Sequence, residues 1–135
     1  MGQETQKVLV VDDDSTCQKV IESLLKPTGC QLTCVSSGAA ALQALSVNTY
    51  DVVIMDIRMP GMDGVTAVRR IRESRKAHGK IPIIVLTADT TQETRTRCMA
   101  AGANIFLTKP VKPEEFYHAI DYVHKRAESE QRRRA

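Results

Sequence analysis

Short strand-like runs, most of them apolar, alternate with longer segments of helical periodicity along this chain. There are five such runs, at residues 7–11, 31–35, 51–55, 81–86 and 104–107. Runs of this length without alternation are typical of strands that are buried on both faces of a parallel sheet. Strands that alternate with helices predict one α/β domain with helices on both faces of the sheet. We therefore expect a doubly wound, parallel, five-stranded sheet.

The segments between the strands carry apolar residues at helical spacing and signals for the helix ends. Residues 15–18, Ser-Thr-Cys-Gln, have the form of a capping box at the start of the first helix. Gly102 is placed to end a helix over residues 91–101, and Pro113 suits the first position of the last helix. Because the 91–101 segment has few apolar residues, we expect this helix to be the one that can shift.

The net charge of +3 lies entirely at the C-terminal end. Residues 1–124 contain 14 basic and 14 acidic residues, so the excess of Lys and Arg falls in the last eleven positions. We expect residues 1–5 to be disordered, a domain over residues 6–126, and a charged tail or linker over residues 127–135. A neutral body argues against nucleic-acid binding. Without a signal sequence or a membrane-spanning apolar run, a cytoplasmic protein that binds no membrane is predicted.

Four cysteines are present, at positions 17, 30, 34 and 98. They form no C-x-x-C pair, and the three histidines are not spaced with them as zinc ligands. Since Cys17 and Cys98 fall at apolar positions of helices and Cys34 falls in a strand, we expect buried, reduced thiols with no metal or redox role.

Polar side chains follow the carboxyl ends of four predicted strands. These residues are Asp12, Asp13 and Asp14 after the first strand, Asp56 after the third, Thr87 after the fourth and Lys109 after the fifth. Each alone has an ordinary explanation, such as a helix cap for Asp13 or Asp14. In open parallel sheets, however, ligands bind beyond the carboxyl ends of the strands. The convergence of these polar residues on one edge of the sheet therefore predicts a functional site.

The residue types at this edge suit phosphoryl transfer. Crowded carboxylates repel each other unless a cation intervenes, and a few oxygen ligands suit Mg²⁺, with Mn²⁺ as an alternative. Asp56 could then attack phosphorus as a carboxylate nucleophile. Lys109 could neutralise one phosphoryl oxygen, and the Thr87 hydroxyl could donate to another. No glycine-rich P-loop is present, so no nucleotide cofactor is expected.

Four motifs at this edge give the sequence a family resemblance. They are Val-Val-Asp-Asp-Asp at 10–14, Met-Asp-Ile-Arg-Met-Pro-Gly-Met-Asp-Gly at 55–64, Leu-Thr-Ala at 86–88 and Leu-Thr-Lys-Pro at 107–110. Together they resemble the receiver domain of two-component response regulators, over about residues 6–126. The resemblance implies a flavodoxin-like fold with strand order 2-1-3-4-5. It also implies that Asp56 accepts a phosphoryl group from a histidine of a kinase or phosphotransfer protein.

The same resemblance assigns the metal and phosphate ligands. Asp12 and Asp13 would hold Mg²⁺ together with Asp56 and the backbone carbonyl of Arg58. Lys109 would bind the phosphoryl group, and its peptide bond to Pro110 would be cis, a form found almost only before proline.

A conformational switch is also implied. Thr87 would move toward the phosphoryl group while Phe106 turns inward, and the surface of the fourth helix, fifth strand and fifth helix would change. That surface would bind an output domain or effector. The chain could belong to a stand-alone regulator or to a hybrid histidine kinase.

Two further residues stand at matching offsets in the chain. Arg58 and Asp89 each lie two positions beyond a key residue, Asp56 and Thr87 respectively. We expect them to pair across the mouth of the site, hinder an attacking water and tune the lifetime of the aspartyl phosphate.

Two other functions remain open at this point. A phosphohydrolase with an aspartyl phosphate would need an acid/base carboxylate two residues past the nucleophile, where this chain has Arg58, and a pocket for its substrate. A receiver that binds partners without phosphorylation would not need the complete set of polar residues at the edge. A phosphoacceptor domain, rather than an enzyme with turnover, is the preferred interpretation.

Overall fold

The computed structural model describes residues 6–59 and 61–134, with side chains described through residue 126. Strands and helices alternate along the whole of this range. They are β1 (Lys7–Val11), α1 (Ser15–Leu25), β2 (Gln31–Val35), α2 (Gly38–Val47), β3 (Val52–Asp56), α3 (Gly64–Glu73), β4 (Ile83–Thr87), α4 (Gln92–Ala101), β5 (Ile105–Thr108) and α5 (Pro113–Arg134). Short 3₁₀ turns follow α1 (Lys26–Thr28) and α3 (Ala77–Lys80).

All strand pairs are parallel, and the order across the sheet is β2-β1-β3-β4-β5. The predicted fold class is therefore confirmed. From β1 the chain first adds β2 on one side, then returns to add β3 on the other side. The carboxyl ends of β1 and β3 thus flank the point where the strand order reverses, which is where open α/β sheets bind their ligands.

Alternate side chains of the strands divide the core into two clusters, one on each face of the sheet. Val10 and Ile54 point toward α1 and α5, where Phe116 is the largest fully buried side chain. Leu9 and Met55 point toward α2, α3 and α4. Because β1, β3 and β4 are covered on both faces, they are almost completely buried, as their apolar sequences predict.

Three strands lie one or two residues later than predicted. In the hydrogen-bonded ladder of the sheet, Asp56 pairs with Leu86, and Thr87 pairs with Thr108. A polar residue therefore ends each of β3, β4 and β5, although the hydrophobic pattern placed these residues in the loops. The ladder fixes the backbone of Asp56 and Thr87 more firmly than a loop would.

The capping-box prediction for α1 was wrong. Asp14, one residue earlier, is the N-cap, and its Oδ1 accepts a hydrogen bond from the Thr16 amide at 2.9 Å. The Gln18 side chain does not return to the helix start but donates to the carbonyls of Asp12 and Val35. Gln18 therefore ties α1 to the edge of the sheet.

The cysteines are all reduced, but they are not all buried. Cys17 and Cys98 are buried, as predicted. Cys34 is exposed and Cys30 is half-buried, which contradicts the prediction for these two. The reason is that β2 is an edge strand whose side chains are only partly covered.

The C-terminal basic segment continues α5, whose backbone is helical through Arg134. The predictions for residues 1–5 and for Ala135 lie outside the described residues. No helix in the described range has an apolar stretch long enough to cross a membrane.

Candidate functional site

Three carboxylates converge beyond the ends of β1 and β3. Asp12 and Asp13 follow β1, and Asp56 is the last residue of β3. One oxygen from each carboxylate lies within 4.8 Å of the others. Asp12 and Asp56 are 2% and 5% exposed, whereas Asp13 is open to solvent. The predicted cluster therefore forms, with one accessible side.

Hydrogen bonds in the surrounding loops hold this cluster in place. The Asp12 amide donates to the Val35 carbonyl at 3.1 Å, and Asp12 Oδ1 accepts from the Asp14 amide at 2.9 Å. On the other side, Gly64 begins α3 against the backbone of β3. A Cβ at Gly64 would lie 2.2 Å from the Asp56 carbonyl oxygen. Only glycine therefore permits this close approach of α3 to the residue that we expect to react.

Lys109 brings a positive charge into the cluster. Its Nζ lies 3.2 Å from Asp12 Oδ2 and 3.6 Å from Asp56 Oδ1. Its amide donates to the Thr87 carbonyl at 2.8 Å, which extends the pairing of β4 with β5. The Lys109–Pro110 bond is cis, as the family resemblance implied.

The electrostatics of the cluster favour a further cation. Burial raises the pKa of Asp56 to about 6, the Asp12 carboxylate adds to this effect, and Lys109 opposes it. Burial lowers the pKa of Lys109, but the carboxylates of Asp56 and Asp12 outweigh burial and raise it. Three carboxylates facing one ammonium keep a negative charge in a partly desolvated site. An all-oxygen donor set with an open side suits Mg²⁺.

Thr87 lies at the end of β4, next to β5, and its side chain is fully buried. Its Oγ1 accepts a hydrogen bond from the Asp89 amide at 3.1 Å. Phe106 lies on β5 opposite Val85 and is half-buried. The Arg95 guanidinium of α4 lies 5.5 Å from the Phe106 ring centroid, a cation–π contact that could not be predicted from the sequence.

Arg58 and Asp89 meet at the edge of the site. Arg58 Nη2 lies 3.4 Å from Asp89 Oδ2, with side-chain exposures of 74% and 18%. The Arg58 amide also donates to Asp56 Oδ1 at 3.4 Å. The expected ion pair is therefore present, and Arg58 contacts the acidic cluster through its backbone as well.

Sequence reasoning missed two residues next to the site. Thr94 is buried, and its hydroxyl donates to Asp89 Oδ2 at 2.7 Å. That hydrogen bond, together with the one from the Thr91 amide, holds the pKa of Asp89 well below its usual range. Cys17 packs beside Asp12, and burial with the Asp12 carboxylate raises the pKa of this thiol to about 12. Neither residue belongs to the sequence motifs, so only the tertiary fold reveals them.

A family comparison agrees with this geometry. The sequence model of the response regulator receiver domain family matches residues 8–121 of this chain. The chain belongs to the response regulator receiver domain family. It is thus a receiver domain of the two-component and phosphorelay type, and the phosphoacceptor role fits its site.

Curated relatives carry similar receiver domains within much longer proteins. The chain is 36% identical over 135 residues to Histidine kinase 2 of Arabidopsis thaliana, covering 85% of this chain and 12% of that protein. It is 38% identical over 119 residues to Hybrid signal transduction histidine kinase L of Dictyostelium discoideum, covering 84% of this chain and 7% of that protein. The chain therefore spans only a small part of these relatives.

Solved structures include a close structural match with a metal ion. The receiver domain of the sensor histidine kinase PA1611 from Pseudomonas aeruginosa superposes with a TM-score of 0.81 at 35% identity, covering 90% of this chain and 99% of that one. Its structure has a magnesium ion coordinated in the active-site cleft.

Proposed function

We propose that Asp56 accepts a phosphoryl group from the phosphohistidine of a histidine kinase or histidine phosphotransfer protein. The observation that carries this proposal is the position of its carboxylate. Asp56 ends a buried strand inside the acidic cluster, with the Lys109 ammonium 3.6 Å away. The relatives named as histidine kinases and hybrid kinases support a donor of this chemical class.

The transfer is a single displacement at phosphorus. An Asp56 carboxylate oxygen forms a bond to phosphorus while the bond from phosphorus to the donor imidazole nitrogen breaks. The electron pair leaves with the imidazole, which takes up a proton from solvent. The Lys109 ammonium neutralises one phosphoryl oxygen, and the Thr87 hydroxyl, after giving up its bond from the Asp89 amide, donates to another.

The proposed metal site binds Mg²⁺, with Mn²⁺ as a substitute. Its ligands are Asp12, Asp13, Asp56 and the backbone carbonyl of Arg58. The three clustered carboxylates support it, and so does the magnesium ion of the PA1611 receiver. When bound, the cation screens the carboxylates from one another and offsets the charge of the phosphoryl oxygens. This chain's residues supply the oxygen ligands and the open side from which a donor can approach.

The switch residues in this proposal are Thr87 and Phe106. When Thr87 turns toward the phosphoryl group, Phe106 turns inward and the surface of α4, β5 and α5 changes. That surface would bind an output domain or effector. It carries a shallow cavity lined in part by Ile105, Leu107 and Tyr122, which gives a partner apolar contacts.

The Arg58–Asp89 pair is proposed to tune the stability of the aspartyl phosphate. The Arg58 side chain is mostly exposed and its backbone amide contacts Asp56, so its guanidinium can restrict the approach of water to the phosphoryl group. We further propose that residues 6–126 act as one domain, with the basic segment after them as a tail or linker. We also propose that the domain acts in the cytoplasm and binds neither nucleic acid nor a membrane directly.

Intact-mass spectrometry tests the function. The protein is incubated with a histidine-phosphorylated phosphotransfer protein and Mg²⁺, with and without EDTA. We expect the mass to rise by one phosphoryl group in the wild type, and not with EDTA or in Asp56→Asn. Asp121→Asn, which removes an exposed carboxylate from α5, is the matched control and should be phosphorylated normally. Phosphorylation of Asp56→Asn would contradict the proposal.

The same preparation separates the two alternative functions. Continuous hydrolysis of small phosphate esters by the wild type would identify a phosphohydrolase instead of a phosphoacceptor. If the chain is an interaction module that needs no phosphorylation, the wild type and Asp56→Asn will bind the partner equally well. We expect one phosphoryl group per chain and no sustained turnover.

A further inference from the structure

Helix α4 contributes little apolar surface to the core. Of its ten residues only Thr94, Cys98 and Ala101 are buried. One of these three is a hydroxyl-bearing residue, and another has only a methyl side chain. Burial of apolar surface therefore stabilises α4 less than its neighbours, and the polar contacts at its two ends have more influence on its position.

The N-terminal end of α4 is bonded to Asp89. Asp89 Oδ1 accepts from the Thr91 amide at 2.9 Å, and Asp89 Oδ2 accepts from the Thr94 hydroxyl at 2.7 Å. The backbone amide of Asp89 donates to Thr87 Oγ1 at 3.1 Å. One residue therefore bonds the first turn of α4 through its side chain and the end of β4 through its backbone.

The C-terminal end of α4 is held by a different residue. Arg72 of α3 donates from Nε to the Gly102 carbonyl at 2.9 Å, and from Nη2 to Asn104 Oδ1 at 2.8 Å. Its Nη1 donates to the carbonyls of Gly79 and Ile81 at 3.1 and 2.6 Å. Arg72 thus joins the end of α4 to the loops before β4 and β5. None of these hydrogen bonds involves a residue of the acidic cluster.

We infer that Thr94 is a positioning residue that couples the phosphorylation site to the first turn of α4, while Arg72 holds the other end as a hinge. This inference rests on the proposed function, because the coupling starts when Thr87 turns toward a phosphoryl group. That rotation breaks the bond from the Asp89 amide to Thr87 Oγ1 and frees the Asp89 backbone to move. Since Thr94 bonds the Asp89 carboxylate, the first turn of α4 moves with it.

Amide NMR during titration with beryllofluoride and Mg²⁺ tests the coupling. Beryllofluoride stands in for the phosphoryl group, and the assigned amides of residues 91–95 and 99–102 report the two ends of α4. In the wild type we expect large shifts at residues 91–95 and small ones at residues 99–102. Saturation of the site is followed independently at Asp56.

Variants at two threonines of α4 supply the comparison. Thr94→Val keeps the shape but removes the hydroxyl, and we expect the shifts at residues 91–95 to fall to about half or less while the site still saturates. Thr94→Ser restores the hydroxyl and should restore the shifts. Thr96→Val is the matched control, because Thr96 is exposed on the other side of the same helix, and it should behave like wild type.

The outcomes separate this inference from the proposed function. Wild-type protein that binds no beryllofluoride would overturn both. Saturable binding with equal shifts at residues 91–95 in Thr94→Val and Thr96→Val would overturn the coupling role of Thr94 and leave the proposed function intact. Amide hydrogen exchange on the wild type gives a test that needs no variant: exchange at residues 91–95 should change on binding, whereas faster exchange at residues 99–102 alone would contradict the hinge.

Discussion

Helices α3 and α4 are neighbours on one face of the sheet and have the same length of ten residues, but different forces hold them. Helix α3 buries Val65, Val68 and Ile71 in the core, and α4 buries no residue larger than Thr94 or Cys98. Hydrophobic burial does not respond to a phosphoryl group, whereas hydrogen bonds at the edge of the site can be exchanged. We therefore expect a helix that shifts on phosphorylation to be one that is fixed mainly by polar bonds at its ends.

The largest expected difference concerns the cores of the two helices. Ile71→Ala in α3 should lower the free energy of unfolding by about 2–5 kcal/mol, because it leaves a cavity among fully buried side chains. Cys98→Ala in α4 should cost only about 1 kcal/mol, because it removes a single buried sulfur atom. Urea unfolding of both variants measures this, and a cost for Cys98→Ala equal to that for Ile71→Ala would contradict the comparison.

A smaller effect is expected where α3 begins. Gly64→Ala should cost about 1–3 kcal/mol, since the new Cβ overlaps the backbone of Asp56 and Ile57. Gly38→Ala is the matched control at the start of α2, where the Cβ would lie 3.0 Å from the flexible Met62 side chain and 3.2 Å from the Ala67 Cβ, with no backbone atom among its nearest contacts. Thermal unfolding compares the two. Equal melting temperatures would show that α3 can move away from β3, and thus that it is not firmly placed.

The N-caps of the two helices should differ in their dependence on pH. Replacing Asp63 of α3 or Thr91 of α4 by Ala should cost about 1 kcal/mol at neutral pH. The Thr66 amide bonds Asp63 and holds its pKa below the ordinary value of 3.8. The stabilisation from Asp63 is thus complete above that value and is lost as the pH falls through the lowered pKa.

Urea titrations at neutral pH and at about pH 3 measure this difference. The cost of Asp63→Ala should shrink on acidification, while the cost of Thr91→Ala should stay constant, because a threonine hydroxyl does not titrate. A cost of Asp63→Ala that is independent of pH would show that the neutral acid caps α3 equally well.

The smallest effect on stability is expected at the surface. Arg58→Ala should change the free energy of unfolding by less than about 0.5 kcal/mol, since the guanidinium is largely exposed. The lifetime of the aspartyl phosphate should nevertheless change, and Arg70→Ala, an exposed arginine of α3, should leave it unaltered. Decay of the phosphorylated mass follows the lifetime. Equal lifetimes in all three proteins would remove Arg58 from the proposal.

The alternation of strands and helices was sufficient to predict the fold class, and the residues after the strands were sufficient to predict that the carboxylates and Lys109 come together at one edge of the sheet. Gly102 ends α4 with a positive φ of 118°, as its position indicated. The errors have physical causes. Hydrophobicity does not show that the ladder continues through Asp56 and Thr87, and the exposure of Cys34 depends on β2 being an edge strand.

The contacts around α4 could not be predicted for a related reason. Thr94, Arg95 and Arg72 are ordinary polar residues at exposed-looking positions of their helices. Their partners, Asp89, Phe106 and Gly102, lie outside these helices. The loop before α4 brings Asp89 to Thr94, and the packing of α4 and α3 against their neighbours makes the other two contacts, so the sequence pattern does not indicate these pairs.

Mapping the phosphoryl group to a residue tests the central claim most directly. The phosphorylated protein is reduced with borohydride, which converts an aspartyl phosphate to homoserine, and its peptides are sequenced by mass spectrometry. We expect homoserine at position 56 alone. Homoserine at Asp12 or Asp13, or a phosphoryl group on any other side chain, would contradict it.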